Sequence, residues 1–217
     1  MKAKLNLIVL LILTVILSSC NSNKKPQNFD YGHLENNKYL NSFFKLELTL
    51  PDNWIVQTKE QTENLSEMGK ELTAGDNKNL KAIIDASEIN TANLLVVFQY
   101  EVGAAVDYNP GFMLVAENLK NSPGIKTGSD YLFQARKILK QSQVQYNYID
   151  DKFKKEIISG QEFYSMNCSI DYMGINIKQI YYSTIIDGFC LNVILSYESD
   201  EQKNNLDKVI NSMNFKK

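Results

Sequence analysis

From Tyr164 onward, Met166, Cys168, Ile170 and Tyr172 are largely apolar, whereas Ser165, Asn167, Ser169 and Asp171 are polar. This two-residue period predicts a half-buried strand. Asp187-Gly188 then lies between two runs rich in β-branched and aromatic residues, the pattern of a two-residue hairpin loop whose residues accept positive φ. Such a loop sets Ile186 opposite Phe189, Thr184 opposite Leu191 and Tyr182 opposite Val193. At Met173-Gly174 a two-residue loop would pair Tyr172 with Ile175 and turn the first strand's apolar side away from that of its neighbour, because a one-residue slip exchanges the faces. A three-residue loop, Tyr172 to Gly174 with a bulge at Gly174, is therefore expected, putting Met166, Ile170, Ile180, Leu191 and Val193 on one face. Cys168 and Cys190 then point to opposite faces with a strand between them, beyond disulfide reach, and are expected to be free thiols. The reverse face still carries Tyr181, Ile185, Cys190 and Ile194, so the sheet should be covered on both sides. Ser199 and Gln202 have capping-box spacing ahead of Leu206, Val209, Ile210 and Met213, a helical stripe predicted to cover one face.

Upstream, Phe44, Leu46, Leu48 and Leu50 alternate with Lys45, Glu47 and Thr49 as a strand that Pro51 ends, and Trp54 is expected to plug the sheet edge. Helices are predicted over Lys59 to Leu72, with Leu65, Met68 and Leu72 on one face, and over Asn77 to Ser87. Leu94 to Val102 is too continuously apolar to have a wet side and reads as a central strand. Asn109-Pro110 is predicted to open a helix through Phe112, Val115, Ala116 and Leu119. A further helix should run from Ser129 or Asp130 to Gln141 with Leu132, Ala135 and Leu139 inward. Strands at Val144 to Tyr148 and Phe153 to Ile158 then lead into the meander, giving five consecutive hairpin neighbours.

The N-terminus changes the picture. Lys2 and Lys4 precede a mainly apolar run from Leu5 to Leu17, too short to span a bilayer and of secretory-signal length. Leu17-Ser18-Ser19-Cys20 resembles the lipobox of bacterial lipoproteins. That resemblance implies cleavage before Cys20, acylation of its thiol, and a membrane-anchored chain in the cell envelope, outside the cytoplasm. Residues rich in Asn, Lys and Ser follow, read as a flexible tether. The expected organisation is a signal peptide over 1–19, acylated Cys20 with its tether over 20–38, and one domain over 39–217. Loss of Lys2 and Lys4 takes the formal charge from -2 to -4. A mildly acidic chain without a basic cluster disfavours nucleic acid as a partner.

Candidate chemistry is sparse. The one histidine, His33, falls in the expected tether, which removes Ser-His-Asp and Cys-His catalysis. HExxH, Cys-x-x-Cys and phosphate-loop patterns do not occur in the sequence, so no catalytic residue, cofactor or metal site is assigned. Asp76 to Asn79 starts like a calcium loop, but Leu80 stands at a ligand position. Glu60, Glu63, Glu67 and Glu71 read as a solvated helix face.

The strand ending in Leu50-Pro51-Asp52-Asn53-Trp54, the helices, and the meander with Gly160, Gly174 and Gly188 at its turns resemble the PsbP-like fold over roughly Tyr39 to Phe215. The resemblance implies an α+β architecture, an antiparallel β-sheet flanked by helices on both faces in an α/β/α sandwich, shared with a Ran-binding nuclear import factor. It also implies a noncatalytic protein-binding or assembly role, and the expected function is a lipid-tethered binding or assembly domain with a protein or a small apolar ligand as partner. The alternative is a cell-envelope hydrolase acting on glycans through two carboxylates, for which Asp85 and Glu101 are candidate buried acids. A polar cleft holding two buried acids would favour the hydrolase, and an exposed apolar or aromatic patch the binding module.

Overall fold

The computed structural model describes residues 29–216. The expected signal, Cys20 and the start of the tether lie outside that range. Part of the expected tether is structured: β1 (His33–Glu35) and β2 (Lys38–Asn41) form a hairpin, and Tyr39 is buried with its hydroxyl donating to the Tyr31 carbonyl. Residues 29–38 thus belong to the folded unit, with His33 exposed on β1.

β3 (Leu46–Thr49), β4 (Ile55–Val56), β5 (Thr91–Phe98) and β6 (Gly111–Asn118) are followed, after a helix, by β7 (Tyr146–Ile149) and β8 (Lys154–Ile158). The meander then comprises β9 (Gln161–Tyr172), β10 (Ile175–Ile186) and β11 (Phe189–Tyr197), and β12 (Asn214–Phe215) ends the chain. The helices are α1 (Lys59–Ala74), α2 (Lys78–Glu88), α3 (Gly128–Gln141) and α4 (Asp200–Asn211). A small sheet has the order β1-β2-β3-β12, and a large one β4-β5-β6-β11-β10-β9-β7 with β8 also on β9. Both are antiparallel throughout. β7 and β8 lie end to end along the outer side of β9, so they are not hairpin partners of each other.

The main core lies between the large sheet and a cover made of the small sheet and α4. Phe112, Leu114, Leu191, Val193, Ile180 and Phe163 meet Leu46, Leu48, Leu206 and Val209 there. Trp54 packs at its margin. α3 packs on the opposite face, against β9 and β10. Its first residue, Gly128, comes so close to β10 that a Cβ would stand 1.9 Å from the Ser183 carbonyl oxygen. Helices therefore flank the sheet on both faces, as an α+β sandwich.

Two expectations fail for related reasons. Residues 111–118 form a strand because Phe112, Leu114 and Ala116, each fully buried, alternate across the centre of the sheet between β5 and β11. Phe112, Val115, Ala116 and Leu119 also satisfy a helical period, and only sheet pairing decides between the two. Asn109 does not cap a helix; its side chain accepts from the Tyr100 amide at 3.0 Å and donates to the Tyr100 carbonyl at 2.8 Å, closing the β5–β6 loop.

At Met173-Gly174 the turn has two residues, with φ of 50° and 85°, and Tyr172 does pair with Ile175. Met166 and Cys168 consequently share a face with Tyr181 and Cys190, opposite to Ile180 and Val193. The slip costs nothing because α3 covers that second face; alternation fixes register only where the other side is wet. The thiols are free, as expected, but not for the reason given. Cys168 and Cys190 share a face, and their cross-strand partners Gln179 and Ile185 are six residues apart on β10, about 20 Å at the rise of a strand.

Candidate functional site

Thr58 accepts from the Gln61 amide, and the Gln61 side chain accepts from the Thr58 amide at 2.8 Å. This reciprocal cap satisfies two amide groups that a helix start would otherwise leave unpaired. It also starts α1 two residues after β4 ends. β4 pairs only with Val97 and Phe98, and the Gln57 amide adds one bond to the Val96 carbonyl at 2.9 Å. Beyond that point the outer edge of β5, from Thr91 to Leu95, has no strand partner among the described residues.

A groove of about 470 Å³ runs along this edge, within the range of small-ligand sites. It is lined by β5 from Thr91 to Val96, by Tyr31 and Gly32 ahead of β1, and by Lys59, Thr62 and Glu63 of α1. A bulge at Asn93 to Leu95 turns Leu94 and Leu95 both inward, so that only Asn93 in this segment is exposed.

Gln57 forms part of the wall and is 7% exposed. Its Nε2 donates to the Ile55 carbonyl at 3.2 Å, which fixes the carboxamide orientation because the reverse would set two oxygens together. The Oε1 atom is buried and has no hydrogen-bond partner among the described residues, a state it shares with Oε1 of Gln99. A buried acceptor left without any partner costs about 1–3 kcal/mol, so the wall holds an acceptor with room for a donor.

A second, shallower depression continues the groove past Thr91 and Asn93 and is lined by Glu63, Ser66, Glu67 and Glu88. Lys70 lies against it, its side chain 9% exposed, bonded to Glu67 at 2.6 Å, Asp85 at 3.1 Å and Glu88 at 3.3 Å. These bonds, that from Glu67 foremost, hold the ammonium pKa well above its ordinary value. One cation among three carboxylates leaves this end of the groove with net negative charge.

Other polar clusters do not form a site. Tyr131 donates to Glu117 at 2.7 Å beneath α3, beside Ser183, Asn192 and Cys190, but none of these lines the groove. Asp85 and Glu101, expected as buried acids, are both exposed. Among the described residues no group of three or more His, Cys, Asp or Glu side chains could hold a metal ion. Tyr148 and Tyr172 are exposed but lie on opposite faces of the sheet. Met68 and Leu72, expected on one face of α1, both point to solvent at 61% exposure.

Sequence reasoning missed the groove. Gln57 resembles any polar residue before a helix, and the only local signal was the Thr58/Gln61 capping pattern that cuts β4 short.

No family model matches the chain, and no curated protein matches it. Solved structures do. The solution structure of cyanobacterial PsbP from Synechocystis sp. PCC 6803 superposes with a TM-score of 0.50 at 12% identity, over 93% of this chain and 99% of that one. The chain has a PsbP-like fold. LpqN of Mycobacterium tuberculosis, described as involved in cell envelope biogenesis, gives a TM-score of 0.46 at 12% identity over 78% of this chain and 82% of its own. A Bacteroides thetaiotaomicron protein gives 0.45 at 9% identity over 85% of this chain, which spans only 50% of that structure. At these identities the PsbP-like likeness establishes architecture and nothing about ligands.

Proposed function

We propose that the protein is a membrane-anchored lipoprotein of the cell envelope whose PsbP-like domain binds a partner noncatalytically in the groove beside β5. The buried, unpaired Oε1 of Gln57 carries the binding reading, since a cost of that size is kept in a fold where a ligand removes it. Anchoring rests on Lys2, Lys4, the apolar run from Leu5 to Leu17 and Leu17-Ser18-Ser19-Cys20. No helix among the described residues is long and apolar enough to cross a membrane. Residues 21–28 separate Cys20 from Phe29, and eight extended residues reach at most about 28 Å. The groove would therefore work close to the bilayer surface.

Crosslinking in intact cells, followed by purification of the full chain from membranes, tests this. The wild-type chain should lack residues 1–19, carry lipid and retain a crosslinked partner that Gln57→Leu releases; Cys20→Ala should remain unprocessed. Intact mass showing Met1 to Ser19 still attached to the wild-type protein would remove the anchoring half of the proposal, and a partner unaffected by Gln57→Leu the binding half.

A further inference from the structure

Resting on the reading that the groove is a binding site, we infer that its occupant is an extended peptide segment that adds to the open edge of β5 as a strand, with a basic residue at the end lying over Thr91. Three independent features converge on that class of ligand.

The first is the edge itself. Thr91 to Leu95 offers main-chain donors and acceptors with no ladder partner among the described residues, while on its inner side every residue but the bulged Leu94 pairs with β6. Exposed edges invite pairing by another chain, and peptide ligands exploit this by β-augmentation. The groove beside this edge is lined by Tyr31, Gly32, Lys59, Thr62 and Glu63, and an added strand would lie along it at the usual spacing of about 4.8 Å from β5. Five residues of edge accommodate about the same number of peptide residues.

The second is Gln57. It sits where β4 stops, at the head of the position a continued strand would occupy, and its Oε1 lacks a donor. Turning the carboxamide about its soft terminal torsion, at the loss of the long Nε2 bond to the Ile55 carbonyl, presents Oε1 to a peptide N–H. A purely apolar ligand would leave it unpaired.

The third is charge. At the Thr91 end the groove passes into the depression formed by Glu63, Glu67 and Glu88. Lys59 pairs with Glu63, and Lys70 is shared by Glu67, Asp85 and Glu88, so four carboxylates face two cations there. A lysine or arginine side chain at that end of the peptide completes the balance, while a glutamate is repelled. Attraction between partly exposed charges also weakens with salt.

The test uses the full chain in detergent and a fluorescein-labelled peptide, Thr-Val-Thr-Val-Lys, read by fluorescence anisotropy. Saturable binding is expected, weakened at least tenfold by N-methylation of alternate peptide nitrogens, by Gln57→Leu, and by replacing the terminal lysine with glutamate. High salt should narrow the lysine-to-glutamate difference, and amide resonances of Thr91 to Val96 should shift on binding. Absence of saturable binding up to millimolar peptide, or binding indifferent to N-methylation, overturns the inference. If the peptide fails while Gln57→Leu still releases the crosslinked partner, the strand inference falls and the groove remains a binding site. If both fail, both readings fall. A dimer dispersed by Gln57→Leu, or a peptide of residues 21–28 that outcompetes the lysine probe, would assign the groove to a second copy or to this chain's own N-terminal segment, and would equally overturn it.

Discussion

Gln57→Leu should abolish binding in the groove and at the same time stabilise the unliganded fold. The wild-type side chain contributes one long hydrogen bond, 3.2 Å from Nε2 to the Ile55 carbonyl, worth about 0.5–1.5 kcal/mol net. Against this stands the buried Oε1 without a partner, costing about 1–3 kcal/mol. Leucine has nearly the same length, removes both terms and places apolar atoms in a site that is 7% exposed. The balance favours the variant by about 1 kcal/mol, which raises Tm by about 2–4 °C for a domain of this size. Thermal and urea denaturation of both proteins, without ligand, measure it. A loss of stability greater than 1 kcal/mol would show that Oε1 is satisfied in the free protein, for instance by an ordered water, and would remove the main physical reason for assigning a ligand to the groove. A gain in stability coupled to a loss of binding is the pattern of a residue kept for function.

Gly128→Ala should destabilise by about 1–3 kcal/mol, since its Cβ would stand 1.9 Å from a main-chain oxygen of β10 and α3 would have to move; denaturant midpoints report it. Leu206→Ala, at a fully buried position of α4, should cost about 2–5 kcal/mol, and a smaller loss in urea unfolding would mean that α4 does not close the core. Cys168 and Cys190 should react with a thiol reagent only after unfolding. Burial pushes the Cys168 thiol up to about 12 and raises that of Cys190 as well. Both groups therefore keep their protons in the folded chain at pH values where the unfolded chain has lost them. Their contribution is complete below the ordinary thiol value near 9 and declines as pH rises from there toward 12, by at most about 1.4 kcal/mol per pH unit for each thiol. Unfolding free energies at pH 8 and pH 10 should differ in that direction, and the difference should shrink in Cys168→Ala.

Much of this fold is written in short-range chemistry. Asp187-Gly188 fixes the pairing of Ile186 with Phe189 because a two-residue turn with left-handed backbone leaves one register available. Ser199 caps α4 through the Gln202 amide because unpaired helix amides need an acceptor at that spacing, although the Gln202 side chain reaches back to Glu198 and not to Ser199 itself. The stripe of Leu206, Val209 and Ile210 buries as its period requires.

What the local pattern left open was decided by neighbours distant in sequence. Residues 111–118 carry side chains that suit a helix or a strand, and the free edges of β5 and β11 made them a strand. Met173-Gly174 could close with two residues or three, and the cover that α3 lays over the second face made the shorter loop acceptable. The groove belongs to this second class. Its chemistry comes from Gln57, from β5, and from the carboxylates of α1 and α2, which are unremarkable one by one. They meet along one groove only because a helix cap at Thr58 ends β4 early and leaves β5 with main-chain groups that nothing in the described chain completes. Hydrogen-bond valence left open at an edge is a property of the assembled sheet, and no window of sequence contains it.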